Sequence, residues 1–120
     1  MDPRTARLLE VALHALEDMK AVDIRVIDVR DMTSITDVMV IASGTSTRHI
    51  KAVADNVAQE AKKLGVQAPG VEGEKGSEWI LIDLGDVVVH VMMPEVRAFY
   101  ALEKLWSVGS EQRSATDSER

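Results

Sequence analysis

Cysteine is absent from this chain. That excludes disulfides, a thiolate nucleophile and every zinc site built on cysteine. Aromatic residues are nearly absent: two Trp, one Tyr and one Phe, all from Trp79 onward. Long apolar runs are missing too, and no stretch approaches the ~20 residues that a membrane-spanning helix needs. Residues 1–20 carry Glu10, Glu17 and Asp18, so they lack the continuous apolar segment of a signal peptide. The chain therefore reads as cytoplasmic, with no membrane partner. Cations are in deficit, with 14 Lys and Arg against 20 Asp and Glu and a net charge of -6. A broad phosphate-binding surface needs clustered cations, so direct nucleic-acid reading is not expected. An acidic domain is better matched to a basic partner.

What is present fits one domain of 120 residues, 46% hydrophobic and 28% charged. A chain of this size buries roughly two thirds of its unfolded surface and folds without covalent staples. Asp2 and Pro3 open a helix in which Leu9, Ala12, Leu13 and Leu16 recur at helical spacing. The β-branched run 24–29 reads as a strand. The polar stretch 30–37 reads as a turn, and the apolar run 38–42 as a central strand covered on both faces. Ser43 to Thr47 breaks that strand and offers capping hydroxyls to a second helix. Ile50, Val53, Ala54, Val57, Ala61 and Leu64 form its stripe, and Gly65 ends it. Residues 68–78 hold three of the seven glycines and predict a mobile charged loop.

Residues 79–93 predict a hairpin. Gly85-Asp86 is a Gly-first pair suited to a two-residue type II′ turn. It sets 84 opposite 87, 82 opposite 89, 81 opposite 90 and 79 opposite 92. One face then carries Ile80, Ile82, Leu84, Val87, Val89 and Val91 and must be core. The other carries Trp79, Leu81, Asp83, Val88, His90 and Met92, a mixed face that the helices are expected to leave uncovered. Pro94 opens a last helix with Phe99, Leu102 and Trp106 on one stripe and Arg97, Tyr100 and Lys104 on another. From Ser107 onward apolar periodicity stops, which predicts a domain over 1–107 and a disordered polar tail over 108–120. The order is α-β-β-α-β-β-α: an α/β domain whose mixed sheet is flanked by helices.

The chemistry-bearing candidates are few. Ser43-Gly-Thr-Ser46, between strand and helix, is a capping turn or a phosphate site on helix N-terminal amides. It also resembles the Gly-Ser opening of nucleotidyltransferases, whose two metals need carboxylates one residue apart on a neighbouring strand. Here Asp55 and Glu60 fall on the helix, and Asp83 and Asp86 bracket a turn at the wrong spacing. A degenerate nucleotide-binding relative is the alternative reading. His14, His49 and His90 stand in no metal-like spacing, so neither metal nor cofactor is expected. His90, mid-strand, is a hydrogen-bonded structural residue or part of a site. Trp79 and Tyr100 lie off the apolar stripes; either they cover one another at an edge or they anchor a binding patch.

Several motifs in order resemble one family. They are Ser34-Ile-Thr-Asp37, Ala42-Ser-Gly-Thr-Ser46 with Arg48-His49, Glu72-Gly73, Trp79, Asp83 through His90, and Arg97, Tyr100 and Trp106. Together they resemble the ribosomal silencing factor, or Iojap-like, family over about 9–107. Met92 stands where an aromatic is common in that family, Pro94 opens the last helix, and the polar tail is an addition. The resemblance implies a nucleotidyltransferase-like fold without the catalytic carboxylate pair, and a role without catalysis. It implies binding to the large ribosomal subunit through ribosomal protein L-fourteen, which blocks joining of the small subunit and represses translation under nutrient limitation. It also implies a homodimer when free. Carried over by position, Trp79, Asp83, His90, Arg97 and Tyr100 are the partner-binding residues.

Overall fold

The computed structural model describes residues 1–67, 69–73 and 76–100, with Phe99 and Tyr100 described in backbone only. The elements are α1 (Pro3–Asp18), β1 (Val22–Asp28), β2 (Val38–Ser43), α2 (Thr47–Leu64), β3 (Gly70–Glu72), β4 (Trp79–Asp83), β5 (Val87–Met92) and α3 (Pro94–Tyr100). The strands form one sheet in the order β1-β2-β5-β4-β3. β2 and β5 run parallel and the other pairs antiparallel, so the sheet is mixed as expected. The tail expected over 108–120 and the Phe99, Leu102 and Trp106 stripe lie outside the described residues and side chains.

Local chemistry explains the helix ends. The Asp2 carboxylate accepts the Arg4 N–H ahead of Pro3, and the Ser46 hydroxyl accepts the His49 N–H at the start of α2. Thr5, 1% exposed, donates its hydroxyl to Asp86 and ties the first turn of α1 to the hairpin. α1 and α2 lie on one face of the sheet. Leu8, Ala12 and Leu16 meet Ile50, Val53 and Val57, and both meet Ile80, Ile82, Val87 and Val89. Burying one such Ile or Val contributes about 1.5–3 kcal/mol, so this layer supplies most of the fold's stability. β2 is buried at all six positions, as its unbroken apolar run requires.

The hairpin register agrees with the turn prediction, with Trp79 opposite Met92, Leu81 opposite His90 and Ile82 opposite Val89. Gly85 takes the positive φ (95°) that the turn demands. Three expectations need correction. Residues 70–72 are not loop but an edge strand against β4. The buried stripe of α1 runs through Thr5, Leu8, Ala12, Ala15 and Leu16, leaving Leu9 and Leu13 half-buried at its margin. Finally, the second sheet face is not open. Met39, Ile41 and Met92 build a smaller core there with Ile27 and Val29, and Met32 and Val96 pack onto it. Among the described residues no helix is long and apolar enough to cross a membrane.

Candidate functional site

The second face carries the polar chemistry. Strand parity puts Trp79, Leu81 and Asp83 of β4 beside Met92, His90 and Val88 of β5. Trp79 and His90 are therefore diagonal neighbours on one face, within reach for aromatic side chains. The indole Nε1–H of Trp79 donates to Nδ1 of His90 at 2.9 Å, with ring centroids 5.8 Å apart and planes at 50°. An indole N–H can only donate, so Nδ1 carries no proton and the imidazole is neutral. Burial acts in the same direction, pushing the His90 pKa down from 6.5 to about 4. His90 is 6% exposed, whereas Trp79 is half-buried. The Ser77 hydroxyl donates to the Trp79 carbonyl and accepts the Trp79 N–H, fixing the start of β4.

Arg97 reaches this face from α3, and it is buried rather than surface-facing, at 7% exposed. Its Nη1 donates to the Asp23 carbonyl at 2.7 Å and to the Ser43 hydroxyl at 3.0 Å, and the Asp23 carboxylate lies 3.7 Å away. Ser43 pairs with Met92, which pairs with Trp79. The Arg97 bonds and the indole are thus joined by one row across the sheet. The sequence expectation that grouped Arg97 with outward residues is corrected here: its guanidinium serves the β1–β2 end of the fold. Asp83 is exposed and sits about 13 Å along β4 from Trp79. Its carboxylate accepts the Gly85 N–H and shapes the turn. The Tyr100 side chain lies outside the described ones. The structure thus brings Trp79 and His90 together, while Arg97 is engaged at the β1–β2 end of the same face and Asp83 stands apart at the hairpin turn.

The segment Ser43–Ser46 resolves toward its plainer reading. The Gly44 amide donates to the Met92 carbonyl, and the Thr45 amide to Nδ1 of His49. The His49 amide is taken by the Ser46 cap, so three amides near a phosphate position are committed internally. Gly44 has a packing reason as well, because a Cβ there would stand 2.6 Å from Ile50. Among the described residues no group of three or more His, Asp or Glu side chains is gathered as a metal site would require. Sequence reasoning names His49 in a motif but does not give its role in joining the helices. With Nδ1 accepting from Thr45, Nε2 carries the proton and donates to the Met19 carbonyl at 2.7 Å, joining the end of α1 to the start of α2. The available signal was its place three residues after the Ser46 cap, where side chains reach back in a capping box.

These features define a small α/β domain with a half-buried Trp79 bonded to a neutral imidazole on the face opposite its two long helices, and a buried guanidinium at the β1–β2 end of that face. The model of the family described as "Ribosomal silencing factor during starvation" matches residues 2–120. The chain belongs to this ribosomal silencing factor family. It is 45% identical over 100 residues to a Haemophilus influenzae protein named ribosomal silencing factor RsfS, covering 83% of this chain and 98% of the relative. A Chromobacterium violaceum protein of the same name is 46% identical over 97 residues, covering 81% of this chain and 80% of that one. A crystal structure of a Chromobacterium violaceum protein superposes with a TM-score of 0.82 at 42% identity, over 94% of this chain and 92% of that chain.

Proposed function

We propose that the chain binds the large ribosomal subunit through ribosomal protein L-fourteen and sterically blocks joining of the small subunit, lowering translation when nutrients are limiting. The observation that carries this reading is family membership over nearly the whole chain, among relatives named ribosomal silencing factors. The half-exposed Trp79 supplies an anchor, since Trp, Tyr and Arg dominate interface energetics when desolvated at a centre. A net charge of -6 steers the domain toward a basic ribosomal protein. In this reading Trp79, Asp83 and Tyr100 meet the partner, while His90 supports Trp79 and Arg97 holds the β1–β2 end of the fold. The binding domain is residues 1–107, a nucleotidyltransferase-like scaffold without paired carboxylates. It acts in the cytoplasm by occupancy rather than turnover, and pairs with itself when free.

Co-sedimentation with isolated large subunits, alongside a thermal melt, tests the reading. Trp79→Ala is expected to stay folded and lose tenfold or more in affinity, the consequence of about 2 kcal/mol at a central anchor. A folded Trp79→Ala chain that binds fully removes this face from the interface.

A further inference from the structure

We infer that His90 is the positioning residue of this surface: its Nδ1 accepts the Trp79 indole N–H and fixes the plane in which the ring meets a partner. The inference rests on the reading that Trp79 is the anchor, and it moves His90 from contact to support. Three observations carry it. First, the donor has one use: an indole offers a single N–H and no acceptor, so a 2.9 Å bond to Nδ1 sets the ring orientation as well as its position. Second, the acceptor is rigid. His90 lies mid-strand, 6% exposed, between Val89 and Val91, both at 0%. Its own backbone is held on both sides, by Ile41 of β2 and Leu81 of β4. Third, Trp79 is packed on the small core of Met92 and Val96 and is only half-buried. The hydrogen bond adds a directional constraint to that apolar packing.

A side chain immobilised before binding has less freedom to lose at the interface, which improves affinity without a new contact. The test uses the full chain and two replacements. In His90→Asn, Oδ1 takes the place of Nδ1 and keeps an acceptor; His90→Leu fills the site without one. The Trp79 indole N–H resonance, assigned by its disappearance in Trp79→Phe, reports the bond directly. Co-sedimentation with large subunits reports its consequence. The wild type and His90→Asn are expected to show a shifted, slowly exchanging indole N–H. His90→Leu is expected to show a solvent-like one, an unchanged or higher melting temperature, and a two- to tenfold loss of affinity. Weaker binding without weaker folding separates positioning from a merely structural role. If His90→Leu melts lower, His90→Val repeats the comparison. An unchanged indole resonance in His90→Leu overturns the inference. So does full affinity in His90→Leu while Trp79→Ala binds poorly, an outcome that leaves the anchor reading standing. Full affinity in Trp79→Ala defeats the anchor reading and the inference together.

Discussion

Lys20 occupies at the end of α1 the position that Gly65 occupies at the end of α2. In each case the residue has positive φ, 60° for Lys20 and 116° for Gly65. In each case its N–H bonds back three residues and the next N–H bonds back five: Lys20 to Glu17 with Ala21 to Leu16, and Gly65 to Lys62 with Val66 to Ala61. This is the Schellman closure, built once with the residue it favours and once with a lysine. A side chain held in the left-handed region costs roughly 1–2 kcal/mol, and a cation near a helix C-terminus returns a few tenths. Lys20→Gly is therefore expected to stabilise the fold by about 0.5–1 kcal/mol, read as a rise of several degrees in melting temperature. A lower melting temperature would show that Lys20 contributes more through its charge than it loses in strain.

The pH dependence of stability should carry the signature of His90. Its folded pKa is depressed by burial to about 4 from the ordinary 6.5. Above pH 6.5 the ring is neutral in both the folded and the unfolded chain. Between 6.5 and 4 the unfolded chain takes up a proton that the folded chain refuses. The stabilisation is thus complete above pH 6.5 and is lost as pH falls toward 4, by at most about 1.4 kcal/mol per pH unit. Denaturant melts of the wild type and His90→Leu at several pH values isolate this contribution by difference. Parallel curves for the two proteins would contradict it.

The parts legible in the sequence are those fixed by short-range rules. The hairpin register follows from Gly85-Asp86, and register with strand parity places Trp79 and His90 on one face. The caps of α1 and α2 follow from Asp2-Pro3 and Ser46. β3 was not legible because its three residues are all exposed and carry no alternation; backbone pairing with β4 makes it a strand. The Trp79 to His90 bond was not legible either, since parity gives a shared face but no rotamer. Arg97 is the plainest failure of helical periodicity. Its partners Asp23 and Ser43 lie 74 and 54 residues away, and a helix face predicts nothing about which strand ends it will meet.

That placement of Arg97 leads to an expectation unlike the one for a surface contact. Asp23 holds positive φ (52°) at an irregularity in β1, and its carbonyl accepts from Arg97 Nη1 at 2.7 Å, closer than the Ser43 hydroxyl at 3.0 Å. The guanidinium thus joins α3 to the irregular end of the edge strand and to the last residue of β2. Arg97→Met keeps much of the apolar stem and removes the donors, so it isolates the polar contribution. Leaving a buried hydroxyl and a carbonyl without that donor is expected to cost about 2–3 kcal/mol of stability. Arg97→Lys should recover part of it, because an ammonium can reach one acceptor but cannot reproduce the planar fork. Any loss of large-subunit binding in Arg97→Met should then come with a lowered melting temperature and faster amide exchange at 22–25 and in α3. An Arg97→Met protein that melts like the wild type yet fails to bind would instead mean that the guanidinium leaves its internal partners to meet the ribosome.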